Sequence, residues 1–210
     1  ERNLLVIQQI REQYFNNQPN AIIPYFEIIL TDTVYPHYLS SQIFSLKYNP
    51  TTKILIVDST LPSVDDIHEI LVGYSLSESA FNKIYDNLIY QFTLRTIHEL
   101  YESDVISVID SIVFNGGVSF FNKATGQAIY AYIISLQANR QEFLSINLEK
   151  IDPKLCFEGL KVVGNSKLHS LTPIEPILDT NWSREDKTNS DEGKCYIGNG
   201  THYSPNYYLS

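Results

Sequence analysis

Two short carboxylate–lysine sequences near the C-terminus are the first residues that could do chemistry. Residues 185–187 (EDK) and 192–194 (EGK) each place a lysine two positions after a glutamate. Metal-assisted hydrolysis uses acidic side chains to hold a divalent ion and a nearby lysine to orient or activate water. In such sites this sequence lies on an apolar strand beside a second acidic residue, whereas here the flanking residues are polar or glycine. We therefore interpret both as part of a solvated charged tail, and we assign no catalytic residue and no metal ligand.

The cysteines and histidines are scattered along the chain. Cys156 stands between two apolar residues, which predicts a small buried hydrophobic side chain. An enzyme that uses Cys156 or the histidines is an alternative hypothesis, but it needs a partnered base that no spacing assigns. Cys195 and His202 could supply two metal ligands, although two ligands without a spacing motif give a weak signal. His37 and His98 have no cysteine or carboxylate at a useful spacing, so we predict surface or interface positions for them.

A basic segment is the remaining candidate for a site. Residues 150–169 contain four lysines against two acidic residues, a local charge of +2 in an acidic chain. Exposed lysines of this kind contact nucleic-acid phosphates. The residues that we predict to contact DNA are Lys150, Lys154, Lys161, Lys167 and His169. A solvated helix face explains the same residues without any ligand, and on the sequence alone we prefer that explanation.

Composition limits the classes of protein to which the chain can belong. It has 210 residues, a net charge of −9 and 43% hydrophobic residues, including 15 tyrosines and 10 phenylalanines. This content supports a packed core and excludes a wholly disordered chain. No apolar run approaches the roughly 20 residues that span a membrane, and two cysteines cannot build a disulfide scaffold. The acidic balance excludes a wholly basic nucleic-acid binder.

The spacing of apolar residues predicts the elements of the first half. Residues 1–17 have a narrow apolar stripe, which predicts a helix and the end of a coiled coil. In residues 42–58, apolar and polar residues alternate, a turn sequence follows, and an unbroken apolar run comes next. This pattern predicts a β-hairpin whose second strand is central in a sheet. Residues 59–80 are predicted to be a loop with one helical turn. Apolar residues at helical spacing over 81–101 predict a long amphipathic helix.

The second half predicts a three-stranded meander over residues 105–136, with its first turn at Asn115-Gly116-Gly117. Asp152 and Pro153 then predict the N-cap and first residue of a short helix through Lys161. The fold class is therefore α+β, with antiparallel hairpins packed on the long helix. We expect three segments: an N-terminal helix at 1–17, an α+β domain at 20–178, and a polar irregular tail at 179–210.

Several collinear segments resemble one bacterial protein family. The first, residues 48–58 (YNPTTKILIVD), is similar to the YNPETKxLIVDYxLP segment in the N-terminal region of Mrr-like restriction endonucleases. Further matching segments lie at residues 61–62, 81–85, 94–105, 110–116, 124–126, 134–137, 146–148, 151–154, 156–157 and 166–174. Together they cover about residues 20–178 in the same order. Gly117 and Ser59 depart from this pattern, because the family has Trp and Tyr at those positions.

The resemblance implies an accessory region rather than a nuclease. In the family, these segments precede a separate catalytic domain of the PD-(D/E)xK type, and residues 179–210 do not resemble its start. The resemblance therefore implies a non-catalytic domain that binds DNA or a partner, in a cytoplasmic protein of DNA restriction or phage defence. It implies no cofactor in this chain, and Mg²⁺ only where a nuclease domain is attached.

Expected partners are DNA, a nuclease domain or subunit, and a second copy bound through the N-terminal helix, but no membrane. The alternative function is a stand-alone protein-interaction module without a nucleic-acid role. The chain has no methionine and begins within a predicted helix, so we expect it to be a piece of a larger protein.

Overall fold

A computed structural model of the protein describes residues 2–36, 39, 42–122 and 125–178. The helices are α1 (Arg2–Phe15), α2 (Pro19–Asp32), α3 (Val64–Ile70), α4 (Glu78–Ser103), α5 (Arg140–Leu144) and α6 (Pro153–Gly159). The strands are β1 (Phe44–Asn49), β2 (Ile54–Thr60), β3 (Ser111–Phe121), β4 (Ala128–Asn139) and β5 (Lys161–Gly164), and a 3₁₀ turn spans Leu168–Ser170. The predicted α+β class is confirmed. The predicted tail at 179–210 lies outside the described residues.

The described strands form one sheet in the order β1-β2-β3-β4-β5. Neighbouring strands are antiparallel except β2 and β3, which are parallel. A parallel pair needs a long connection between its strands, and α3 and α4 provide it. The β1–β2 hairpin is confirmed, and β2 is central, as its unbroken apolar sequence predicts.

The core lies between one face of this sheet and the helices. Helix α4 buries Phe81, Tyr85, Ile89 and Phe92 along one side, and the ring of Phe92 meets that of Phe114 on β3 edge-on at 6.3 Å. Full burial of one such side chain contributes roughly 1.5–3 kcal/mol. The periodic sequence of α4 therefore predicts both its helical state and its packing face correctly.

The predicted meander is wrong in its first two strands. Residues 105–110 are not a strand, and β3 runs without interruption through Asn115, Gly116 and Gly117. These residues resemble a turn, yet neither glycine has a positive φ. Instead, a bulge shifts the β3–β4 register at this point. A Cβ on Gly116 would overlap Leu61, and one on Gly117 would overlap the Tyr130 ring, so close packing explains the glycines.

Three further elements differ from the predictions. Helix α2 has no counterpart among the predicted elements, and it contains Pro24. It buries Tyr25, Phe26 and Leu30, and this burial outweighs the loss of the backbone hydrogen bond that the proline removes. Within 59–80, α3 is a capped helix, because Ser63 and Asp66 form a capping box. The helix after Asp152 ends at Gly159, and the chain then enters β5 rather than staying helical. Among the described helices, none is long and apolar enough to cross a membrane.

Candidate functional site

The four predicted lysines lie on or within three residues of α6 or the edge strand β5, and we call them the lysine edge: Lys150, Lys154, Lys161 and Lys167. Lys154 lies on α6, Lys161 begins the edge strand β5, and the other two lie in the flanking turns. All four side chains are exposed. Lys161 donates a hydrogen bond to Gln137 Oε1 at 2.9 Å. Within the described residues, none of the four forms a salt bridge.

His169, the fifth predicted residue, holds the 3₁₀ turn against α4. Its backbone N–H donates to Asp86 Oδ1 at 2.7 Å, and its ring Nδ1 lies 2.9 Å from Asp86 Oδ2. Both side chains are mostly buried, at 22% and 15% exposure. Asp86 offsets the charge that a protonated His169 would carry. The structure therefore gives His169 a positioning contact, while the lysines remain open to solvent.

A second group of polar residues crosses the sheet on the face opposite α4, and no sequence pattern predicts it. The strand registers place Asp58 beside Asn115 and Asn115 beside Ser135. Asn115 Nδ2 donates to Asp58 Oδ1 at 2.6 Å, and Ser135 Oγ donates to Asn115 Oδ1 at 2.7 Å. Tyr132 donates to the other Asp58 oxygen at 3.2 Å. These four residues form what we call the polar row.

The polar row fixes the segment that follows the 3₁₀ turn. Asn115 Nδ2 also donates to the Leu178 carbonyl at 2.6 Å, and the Ile177 N–H donates to Ser135 Oγ at 3.0 Å. Ser135 directs its proton to an amide oxygen. A serine nucleophile instead needs a base such as histidine beside its hydroxyl. The chemistry of this row is therefore structural: it satisfies buried polar groups and attaches residues 177–178 to the sheet.

A third polar group surrounds Asp104 at the end of α4. The buried carboxylate accepts hydrogen bonds from the Tyr14 hydroxyl at 2.7 Å and from the Val108 and Ile109 N–H groups at 3.0 and 2.9 Å. The Arg140 guanidinium forms an ion pair with the same carboxylate. Burial, followed by the hydrogen bond to Asp104, raises the pKa of Tyr14 above its ordinary value. Asp104 thereby joins α1, α4 and α5.

The remaining candidates for chemistry have ordinary surroundings. Cys156 is half-buried against the core, and burial raises the pKa of its thiol, which disfavours the reactive thiolate. The prediction for His98 was wrong about its neighbours, since Glu102 lies one helical turn away with an Nε2–Oε1 distance of 3.8 Å. Among the described residues, no three or more His, Cys, Asp or Glu side chains are grouped to hold a metal ion. The sequences at 185–187 and 192–194, like His37, Cys195 and His202, lie outside the described residues.

Comparison with known proteins gives no relative for this chain. No family model, no curated protein and no solved structure matches it.

Proposed function

We propose that the chain is a non-catalytic accessory domain of a bacterial DNA-restriction or phage-defence protein in the cytoplasm. It binds DNA through the lysine edge and positions cleavage that another domain or subunit performs. The observation that carries this proposal is the exposure of Lys150, Lys154, Lys161 and Lys167, which lie on or within three residues of α6 or the edge strand β5. Their ammonium groups are exposed and form no described salt bridge.

Phosphate contacts of this kind give affinity without reading sequence. Lysine is well suited to them, because its compact charge on a flexible stem adapts to a phosphate without fixed geometry. The net charge of −9 opposes the approach of DNA to the rest of the chain. We therefore expect weak binding that is confined to the lysine edge and falls steeply with salt.

Several of the resembling segments contact one another in the structure. Asp58, Asn115 and Ser135 come from three separate segments of the resemblance, at 48–58, 110–116 and 134–137, and together they build the polar row. A fourth segment, 94–105, supplies Asp104. These segments therefore belong to one folded unit.

Fluorescence anisotropy with a labelled DNA duplex tests the proposal at low salt. The variant Lys150→Gln/Lys161→Gln/Lys167→Gln should lose most of the affinity. A matched control, Arg11→Gln/Lys53→Gln/Lys83→Gln, removes the same charge elsewhere and should bind almost as the wild type does. Equal losses in the two variants would show that only net charge matters, and they would contradict a lysine edge. Circular dichroism confirms that each variant is folded.

A second candidate function, self-association without nucleic acid, is favoured by the exposed apolar residues of α1. Leu4, Leu5 and Val6 are 63%, 67% and 52% exposed, while Tyr14 at the other end of the helix is buried. Exposed apolar side chains clustered at one end of a helix are typical of a surface that another protein copy covers. Light scattering after gel filtration should show a dimer or larger species that Leu4→Gln/Leu5→Gln converts to a monomer. The control Val72→Gln/Val105→Gln, also at exposed apolar positions, should leave the mass unchanged.

A further inference from the structure

The segment after the 3₁₀ turn lies across the sheet, and we call residues 172–178 the strap. Near its end, the Ile177 N–H donates to Ser135 Oγ at 3.0 Å, and the Leu178 carbonyl accepts from Asn115 Nδ2 at 2.6 Å. Both of these strap residues are half-buried. Their partners precede them by 42 and 63 positions, so the strap is anchored to β4 and β3 rather than to the neighbouring chain.

Two prolines make the strap a stiff, extended arm. Pro173 and Pro176 fix their own φ, and each favours an extended conformation in the residue before it. Between them, the Ile174 N–H donates to the Tyr132 carbonyl at 2.9 Å. A stiff segment loses little conformational entropy when it binds. The strap can therefore attach to the same surface on another molecule at a small entropic cost.

The strap leaves the 3₁₀ turn through a strained residue, Leu171. Its φ is 51° and its ψ is 35°, which is the left-handed conformation. The described residues other than glycine with a positive φ are Asn17, Lys53, Ser107 and Leu171. Leu171 is the apolar, branched member of this group, and for such a side chain the left-handed conformation is unfavourable. Strain is therefore released if Leu171 becomes extended and the strap turns away from its own sheet.

Local contacts hold this hinge closed in a single molecule. Thr172 Oγ1 lies 2.8 Å from Ser170 Oγ, and the Leu171 side chain packs against the core. An opened hinge loses these contacts. The contacts with Ser135 and Asn115 differ from them, because they form equally well with the strap of a second copy.

We propose that two copies of the chain exchange straps, so that residues 172–178 of each copy bind the polar row of the other. The partner is a second copy, because an exchanged strap makes the same hydrogen bonds with the sheet as it does within one molecule. Strain released at Leu171 in both copies offsets the local contacts that are lost. The exchange uses different residues from the association through α1 and from the lysine edge.

Cysteine pairing between two different chains tests the exchange directly. In every chain, Cys156 and Cys195 are first replaced by alanine. One full chain then carries Ser135→Cys and the other Ile177→Cys, and the two are refolded together from urea at high protein concentration and oxidised. The Ile177 N–H lies 3.0 Å from Ser135 Oγ, so a covalent heterodimer on a non-reducing gel reports the strap of one chain on the sheet of the other.

Two controls set the scale of this experiment. A single chain with both Ser135→Cys and Ile177→Cys, oxidised at low protein concentration, should close its own disulfide and so verify the geometry. Mixing Ile177→Cys with Gln127→Cys, an exposed position in the turn before β4, gives the background yield of heterodimer. The mixture of Ser135→Cys and Ile177→Cys should exceed this background several-fold.

Leu171→Pro tests the hinge, because proline cannot adopt a positive φ and the closed hinge is lost. Adding it to both chains should raise the heterodimer yield roughly tenfold over that of the native hinge. The exchange should persist with Leu4→Gln/Leu5→Gln, which separates it from association through α1. The proposal is overturned if the double-cysteine chain does not close its disulfide, or if the mixture with the native hinge gives only the background yield. An unchanged yield for folded Leu171→Pro would overturn the role of Leu171.

Discussion

The hydroxyl of Tyr14 donates a 2.7 Å hydrogen bond to the carboxylate of Asp104, 90 positions later in the chain. This contact connects α1 to the C-terminal end of α4, where Arg140 of α5 forms an ion pair with the same carboxylate. Asp104 is 2% exposed, and its buried charge is stabilised because hydrogen-bond donors surround the carboxylate. Helices α1, α4 and α5 are thus joined at one buried charge.

Replacing Arg140 by methionine should strongly destabilise the protein, because it leaves the buried Asp104 charge without its counter-ion. Removing one partner of a buried ion pair costs roughly 3–5 kcal/mol. The control is Arg95→Met, which breaks an exposed pair with Glu99 at 3.8 Å that contributes about 0–1 kcal/mol. Urea unfolding measures both variants. Similar losses in the two would show that Asp104 is not a buried charge in the folded protein.

Replacing Asn115 by aspartate should introduce repulsion in the polar row. The new carboxylate would lie where the amide donates to Asp58 at 2.6 Å, so two like charges would share one buried site. Such a pair raises the pKa of one carboxyl in the folded state, and its penalty is relieved as the pH falls. Compared with the wild type, the variant should therefore be least stable at neutral pH and recover toward acid pH. A pH-independent loss in urea unfolding would argue against a charge pair.

Alkaline pH should destabilise the wild type through its buried tyrosines. Burial raises the pKa of Tyr85, Tyr90 and Tyr101 above 10, the ordinary value for tyrosine. Their contribution to stability is complete below the unfolded pKa of about 10 and is lost as the pH rises toward the folded value. Each such tyrosine lowers the free energy of unfolding by about 1.4 kcal/mol per pH unit in that range. Urea titrations between about pH 9 and pH 12 test this slope, and a flat profile would contradict it.

Gly116→Ala should destabilise the protein, because a Cβ there would overlap the Leu61 and Ile134 side chains in the core. Overpacking a core typically costs 1–3 kcal/mol. Gly159→Ala is the matched control, since nothing lies within 4 Å of its added Cβ. Thermal unfolding should therefore separate the two alanine variants. Equal thermal stability of Gly116→Ala and Gly159→Ala would contradict the close packing of Gly116 against Leu61 and Ile134.

The elements that the sequence predicts well are those with strong local patterns. In the β1–β2 hairpin, apolar and polar residues alternate before a turn sequence. In α4, apolar residues recur at helical spacing along the whole helix. Helix α2 has apolar residues on several sides and an internal proline, so its burial against α4 decides its state. Asn115-Gly116-Gly117 favours a turn locally, but the hydrogen bonds of Asn115 and the packing of both glycines hold a strand.

The candidate sites divide in the same way. The lysine edge is visible in the sequence, because its residues lie within one short segment. In the polar row and the Asp104 group, Asn115 and Ser135 are 20 positions apart and Tyr14 and Asp104 are 90 apart, so no local spacing reveals these side-chain pairs.

The salt dependence of DNA binding tests the central claim most directly. If the lysine edge holds DNA by phosphate contacts, each contact displaces counterions from the duplex. With one contact per lysine, a plot of log affinity against log salt concentration for the full wild-type chain should have a slope of roughly −3 to −4. No detectable binding at the lowest salt, or a slope near zero, would contradict the account.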